Sequence, residues 1–133
     1  MRRGAIGWIL AGWLALTWVS PAAANYSTSL KNFYAEYEVV KQCQQEAQLS
    51  ATDAETAKAA ITKIEAHYLQ RDASIDKARL LKQAVADKND GFRIATRGSK
   101  SDLRHYCRLS LKELLAKAEE IGGESNASGE GAR

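Results

Sequence analysis

The segment that decides the fold is Ser99–Ile121, SKSDLRHYCRLSLKELLAKAEEI. Its apolar residues recur at steps of three and four, so they share one face of a helix with 3.6 residues per turn. These residues are Leu103, Cys107, Leu111, Leu114, Ala118 and Ile121. Ser99 and Asp102 have the spacing of a capping box at the helix start, and Gly122-Gly123 predicts its end. Cys107 lies in the middle of the apolar face, so its bonding partner is expected in the core.

A second helix is predicted around Cys43, the only other cysteine of the chain. It is expected to begin between Ser27 and Ser29. Its apolar face comprises Leu30, Phe33, Tyr37, Val40, Cys43 and Ala47. Because both cysteines lie on apolar faces and follow an export signal, they predict a disulfide that joins the first and last helices. Two buried free thiols are an alternative, and a redox-active pair is less favoured because no Cys-x-x-Cys motif is present.

The N-terminus has the pattern of a secretory signal peptide, predicted to span residues 1–24. A positively charged start at Met1–Arg3 precedes the apolar run Ala5–Val19, and Pro21–Ala24 supplies small residues for cleavage. Cleavage is expected after Ala24, with Ala23 as the alternative site. The run is shorter than the roughly 20 residues of a membrane span, which disfavours an uncleaved anchor. The sequence therefore predicts a secreted protein, periplasmic if the host is Gram-negative.

Residues 25–121 are predicted to form a single all-α domain, a small bundle of about four helices. Residues 25–90 contain neither Gly nor Pro, a composition typical of helices. Thr52 and Glu55 suggest a capping box for the second helix. Its predicted face comprises Ala54, Ala57, Ile61, Ile64 and Tyr68, and that of the third helix comprises Ile75, Ala78, Leu81 and Val85.

The joints between these helices are less clearly marked. Asp72 or Ser74 is a candidate cap for the third helix, but one long helix over 52–88 is an open alternative. Asn89-Asp90-Gly91 predicts the end of the third helix, and residues 91–98 a connector that Phe92 and Ile94 anchor to the core. Residues 122–133 contain no apolar side chain larger than alanine, which predicts a disordered tail.

Composition and motifs argue against several classes of function. The chain has 19 Lys/Arg and 16 Asp/Glu, and loss of Arg2 and Arg3 with the signal peptide leaves a net charge of only about +1. Nucleic acid is therefore not an expected partner. No Gly-x-Ser-x-Gly or Cys-x-x-Cys-His motif is present, and His67 and His105 lack the spacing of metal ligands. No catalytic residue, metal or cofactor is predicted.

Basic residues provide the remaining candidate site. Six recur at steps of three and four: Arg93, Arg97, Lys100, Arg104, Arg108 and Lys112. We call the last three the basic ridge and the first three the upstream cations. The ridge is expected on a flank of the last helix. The upstream cations surround its start, where free N–H groups and the helix dipole favour an anion. A solvated face without a binding role is the alternative interpretation.

These features predict an exported, non-enzymatic helical protein that acts through a protein partner. A chaperone-like, an inhibitory and an immunity role fit equally well. The alternative function is an enzyme or binding protein for a small anionic ligand, held in a helical pocket lined by Arg and Lys. Contact with membranes is expected to be peripheral, if it occurs.

Overall fold

The computed structural model describes residues 21–131, with side chains for 26–124, as four α-helices without a strand. The helices are α1 (Pro21–Gln45), α2 (Ala51–Arg71), α3 (Lys77–Ala95) and α4 (Lys100–Gly131). Helix α1 packs against the other three, and α2 packs against α4. Helix α3 meets α4 at only a few positions and does not pack against α2. The predicted all-α bundle is thus confirmed, as a three-helix core of α1, α2 and α4 with α3 added on α1.

The predicted disulfide is confirmed between Cys43 of α1 and Cys107 of α4, with Cα atoms 5.9 Å apart. Both residues are fully buried, together with Leu30, Val40 and Leu114. No cysteine in the described part of the chain is free, so the alternative of two buried thiols is wrong. The bond joins residues that are 64 positions apart and fixes α1 against α4 at the level of the core.

Helix α1 differs from its prediction at both ends. It begins at Pro21 rather than between Ser27 and Ser29, because proline is well tolerated in the first turn and no residue between them interrupts a helix. It ends two residues after Cys43. Ala47 was expected on the apolar face, but it is exposed with φ of 59° in the turn. This turn lets the Gln48 N–H donate to the Cys43 carbonyl oxygen at 2.8 Å.

Two helices, rather than one, occupy residues 52–88. Helix α2 begins two residues earlier than predicted, because Ser50 and Asp53 form the reciprocal capping box instead of Thr52 and Glu55. The Asp72 carboxylate accepts the Ser74 N–H at 3.0 Å and stabilises the turn that follows α2. Asp76 then caps α3 by accepting the Arg79 N–H at 3.2 Å.

Helix α3 buries a face that is rotated from the predicted one, although Leu81 of the predicted face is half-buried against the core. Its buried residues are Leu80, Ala84 and Phe92, one position away from the expected stripe, and Val85 is 39% exposed. The helix also continues through Gly91 to Ala95, so Asn89-Asp90-Gly91 does not end it. A side chain at Gly91 would collide with the hydroxyl of Tyr106 from α4. This glycine therefore makes room for the Tyr106 side chain and does not stop the helix.

Phe92 and Ile94, the expected anchors of a connector, belong to the last turn of α3 instead. Phe92 is buried and its ring packs edge-on against Tyr106 at 6.0 Å. Ile94 points away from the core and is 65% exposed. The connector between α3 and α4 is accordingly shorter than predicted and covers only residues 96–99.

Helix α4 confirms its predicted start and corrects its predicted end. The Ser99 N–H donates to the Asp102 carboxylate at 3.0 Å, and the Asp102 N–H donates to the Ser99 hydroxyl at 3.2 Å. Cys107, Leu111, Leu114 and Ile121 of the predicted face are buried, whereas Leu103 and Ala118 are half-buried. The helix continues through Gly122-Gly123 to Gly131, because glycine weakens a helix without forbidding it. That residues 122–133 are disordered in solution stays a prediction.

A hydrogen bond and ion pairs link α3 to α1 and α2. The Tyr34 hydroxyl of α1 donates to the Glu65 carboxylate of α2 at 2.7 Å. Glu65 also pairs with Lys77 of α3 at 3.0 Å. Burial, and then the bond to Glu65, raise the pKa of Tyr34, so this phenol stays protonated and continues to donate. Lys31 of α1 also pairs with Asp87 of α3, at 3.2 Å.

None of the described helices is long and apolar enough to cross a membrane. Residues 1–20 of the predicted signal peptide lie outside the described part of the chain. Its last four residues, 21–24, are in the first turn of α1. Cleavage after Ala24 or Ala23 stays a prediction.

Candidate functional site

The basic ridge lies on the outer surface of α4. Arg104, Arg108 and Lys112 are all exposed. They are spaced by four residues and so form one row along about 12 Å of the helix. Among the described residues none of the three has a carboxylate within ion-pair distance, whereas Lys31, Lys41, Lys77, Arg93 and Lys117 all do. The ridge therefore presents uncompensated positive charge to the solvent.

Apolar side chains accompany the ridge. Leu109 is 45% exposed, and Leu115 is half-buried beside the row. A shallow depression of about 350 Å³ is lined by Arg108, Leu111, Lys112, Leu115, Ala116 and Glu119. Such a surface can bind an acidic segment by its charges and cover apolar area at the same time. The disulfide at Cys107 ties this part of α4 covalently to α1.

The upstream cations do not form a comparable cluster. Arg93 pairs with Asp90 at 3.2 Å, within α3. Arg97 and Lys100 are exposed in the connector and at the start of α4. The first free N–H of that helix start is donated to the Asp102 carboxylate, and this bond lowers the pKa of Asp102. An anion at the helix start would meet this carboxylate, which weakens the argument for an anion site there.

The two histidines lie far apart along the sequence and have different surroundings. His105 is exposed near the start of α4, and His67 is half-buried near the end of α2. No group of three or more His, Cys, Asp or Glu side chains in the described residues has an arrangement that could hold a metal ion. His67 lines a cleft between α2 and the C-terminal half of α4.

This cleft has a volume of about 290 Å³ and is lined by Lys63, Ala66, His67, Gln70, Arg71, Ile121 and Glu124. Sequence reasoning missed it. The basic residues of α2 at steps of four were a visible signal, but the opposite wall comes from Ile121, the last residue of the predicted helix, and from Glu124, which lies in the predicted tail. Burial, and then the positive charge of Arg71, lower the pKa of His67. These effects favour the neutral form of the histidine.

A third polar feature lies between α1 and α4. The Glu36 carboxylate faces Glu113, and one of its oxygens, Oε2, is fully buried without a hydrogen-bond partner among the described residues. Burial, and then the negative charge of Glu113, raise the pKa of Glu36 to about 7. Burial and the charge of Glu36 also raise the pKa of Tyr106. Glu36 precedes Val40 and Cys43 by four and seven residues, a spacing that places it on the buried face.

Comparison of the chain with models of known families, with curated proteins and with solved structures gave no significant match.

Proposed function

We propose that this chain is an exported helical protein that binds an acidic partner protein through the outer face of α4. The observation that carries the proposal is the row Arg104, Arg108 and Lys112, which is exposed and unpaired among the described residues. An exposed ion pair contributes only about 0–1 kcal/mol, but several complementary charges together accelerate association and select the partner. A chaperone-like, inhibitory or immunity role is the kind of function such a partner site serves.

Leu109 and the depression beside Lys112 support a protein partner over a simple counter-ion. An inorganic anion gains nothing from apolar area, whereas a helix or loop with acidic and apolar side chains buries both. The central, desolvated part of an interface supplies most of its affinity. We expect Leu109 to occupy that part, with the ridge cations at its edge.

Export is the second part of the proposal. The sequence of residues 1–24 has the three regions of a secretory signal, and the Cys43–Cys107 disulfide suits an oxidising compartment. Mass spectrometry of the protein isolated from its host compartment tests this directly. A mature chain that begins at Asn25, or at Ala24, is the expected result. A chain that retains Met1 in the cytoplasm would contradict export.

Charge reversal of the ridge tests the partner site. The exported, oxidised protein is immobilised and used to capture proteins from an extract of its own compartment at low and high salt. We expect one stoichiometric acidic protein that is retained at low salt and lost at high salt. The triple variant Arg104→Glu, Arg108→Glu, Lys112→Glu should lose it.

The matched control changes three exposed cations on other helices, Lys58→Glu, Arg79→Glu and Lys82→Glu. It alters net charge by the same amount, so it should retain the partner. Circular dichroism and thermal melting must show that both triple variants are folded. Equal capture by the ridge variant and the wild type would contradict the proposed site, and equal loss in both triple variants would reduce it to a general charge effect.

A further inference from the structure

The cleft between α2 and α4 is large enough to hold a small molecule and is lined mainly by polar side chains. Its volume of about 290 Å³ is near the lower end of the range for ligand pockets, which is about 300–1,000 Å³. Ile121, which is 6% exposed, contributes an apolar wall from the core. The polar side chains around it belong to two helices that the three-helix core holds together. The α2 side of the cleft and Ile121 therefore belong to the packed structure, and the cleft is separate from the basic ridge.

Positive charge lines one side of this cleft. Lys63, His67 and Arg71 are spaced by four residues, so they form one row along α2. Neither Lys63 nor Arg71 has an ion-pair partner among the residues described with side chains. One Arg71 nitrogen, Nη1, donates to the His67 carbonyl oxygen at 3.1 Å, which fixes the guanidinium over the end of the helix. Its remaining N–H groups are available to an oxyanion.

Gly122 explains how the lysine of this row reaches the cleft. A Cβ atom at residue 122 would lie 2.9 Å from the Lys63 ammonium nitrogen. That distance is shorter than a non-bonded contact between carbon and nitrogen. Any side chain at residue 122 would therefore displace the ammonium group of Lys63. The glycine lets the lysine lie against the backbone of α4, beside the cleft. The residue that the sequence suggested as a helix stop thus shapes a polar site.

The imidazole of His67 completes the row. It packs edge-on against Tyr68, with ring centroids 5.2 Å apart. Burial, and then the charges of Arg71 and Lys117, lower the pKa of His67, while Glu124 and Glu120 act in the opposite direction. A bound anion would add to the carboxylates and favour the protonated ring. The pKa of His67 should therefore rise when an anion binds in the cleft.

We propose that this cleft binds a small organic anion, whose carboxylate or phosphate group contacts Lys63, His67 and Arg71. Glu124 on the facing helix restricts which ligands fit the site. It repels a second negative group and favours a ligand with a hydrogen-bond donor or an ammonium group at its other end. The expected ligand class is consequently a small, singly acidic or zwitterionic molecule. This inference does not depend on the proposed partner site on α4.

Nuclear magnetic resonance of the two histidine rings tests the site in the exported, oxidised protein. Succinate, inorganic phosphate and 4-aminobutyrate, a zwitterion with one carboxylate, are titrated separately at constant ionic strength. We expect saturable shifts of the His67 ring signals and a higher pKa of His67 in the bound state. His105 is exposed at the other end of α4 and serves as the internal control. Parallel, unsaturable shifts of both rings would mean simple salt screening and overturn the proposal.

Four variants assign the binding to this cleft. Arg71→Gln and Lys63→Gln should each weaken the best of the three probes about fivefold or more, as expected for loss of one charge contact. Glu124→Gln should strengthen succinate binding, because it removes a repulsive carboxylate. Lys58→Gln removes an exposed cation of the same helix outside the cleft and should leave affinity unchanged. Equal affinity of all four variants, or weaker succinate binding by Glu124→Gln, would overturn the assignment.

Discussion

At the residue scale, Glu36 sets a pH dependence of stability. The pKa of Glu36 is raised to about 7 by burial and by Glu113, so the folded state binds a proton that the unfolded state loses near pH 4.5. For an acid with a raised pKa, stability is highest below the unfolded value and falls as the pH rises through the folded value. We therefore expect the Glu36 contribution to be lost between about pH 4.5 and pH 7.

The substitution Glu36→Gln should remove this loss. The full shift corresponds to about 3 kcal/mol, but the side chain is partly exposed, so we expect about 1–2 kcal/mol of stabilisation at pH 8 and little change at pH 4. Urea unfolding at both pH values measures it. Glu55→Gln, which changes an exposed carboxylate of α2, is the matched control. A stabilisation by Glu36→Gln that is equal at both pH values would contradict the titration of this carboxyl.

At the element scale, the C-terminal part of α4 is held much more weakly than its middle. Cys107, Leu111 and Leu114 are buried against the other helices. Gly122, Gly123, Gly129 and Gly131 each cost the helix about 1 kcal/mol relative to alanine. We expect this segment to open with a free energy near zero, in agreement with the predicted disorder of residues 122–133.

Hydrogen exchange of the backbone amides measures this difference along one helix. Amides of residues 107–118 should be protected nearly as well as the most stable part of the protein, and those of 125–131 should exchange within seconds at neutral pH. Gly123→Ala would show whether glycine is the cause, since Gly123 has open space around it. Strong protection of residues 125–131 in the wild type would refute the prediction and indicate a stable helix end.

At the scale of the whole molecule, the disulfide is the main constraint on a small domain. It closes a loop between residues 64 positions apart, for which the chain-entropy model gives about 4 kcal/mol of stabilisation. The variant Cys43→Ala, Cys107→Ala should therefore melt about 20 °C lower than the oxidised wild type. A melting temperature within a few degrees of the wild type would show that packing alone holds α1 against α4.

The arrangement of the helices follows from how much apolar surface each one offers. Helix α3 fully buries only Leu80, Ala84 and Phe92, and it packs mainly on α1. It therefore lies against α1, outside the three-helix core. Its attachment depends partly on the ion pair between Glu65 and Lys77 and on the Lys31–Asp87 pair. Val85 lies at the edge of the apolar face of α3 and is exposed to solvent.

The sequence by itself determined the helical class, the pairing of Cys43 with Cys107 and the buried faces around both cysteines. These depend on composition and on periodicity within one helix, which are local properties. The start of α4 was also predictable, because the Ser99–Asp102 capping box involves residues only three positions apart. The basic ridge was visible for the same reason.

Only the tertiary structure decided which face of α3 is buried, where the helices meet and what Gly91 and Gly122 do. Each glycine is placed where a side chain from another helix, Tyr106 or Lys63, approaches the backbone. No local pattern distinguishes such a close approach from a helix stop. The proximity of Glu36 to Glu113 and the cleft around His67 likewise arise between helices distant in sequence. Local chemistry therefore set the elements, and contacts across the bundle set the polar sites.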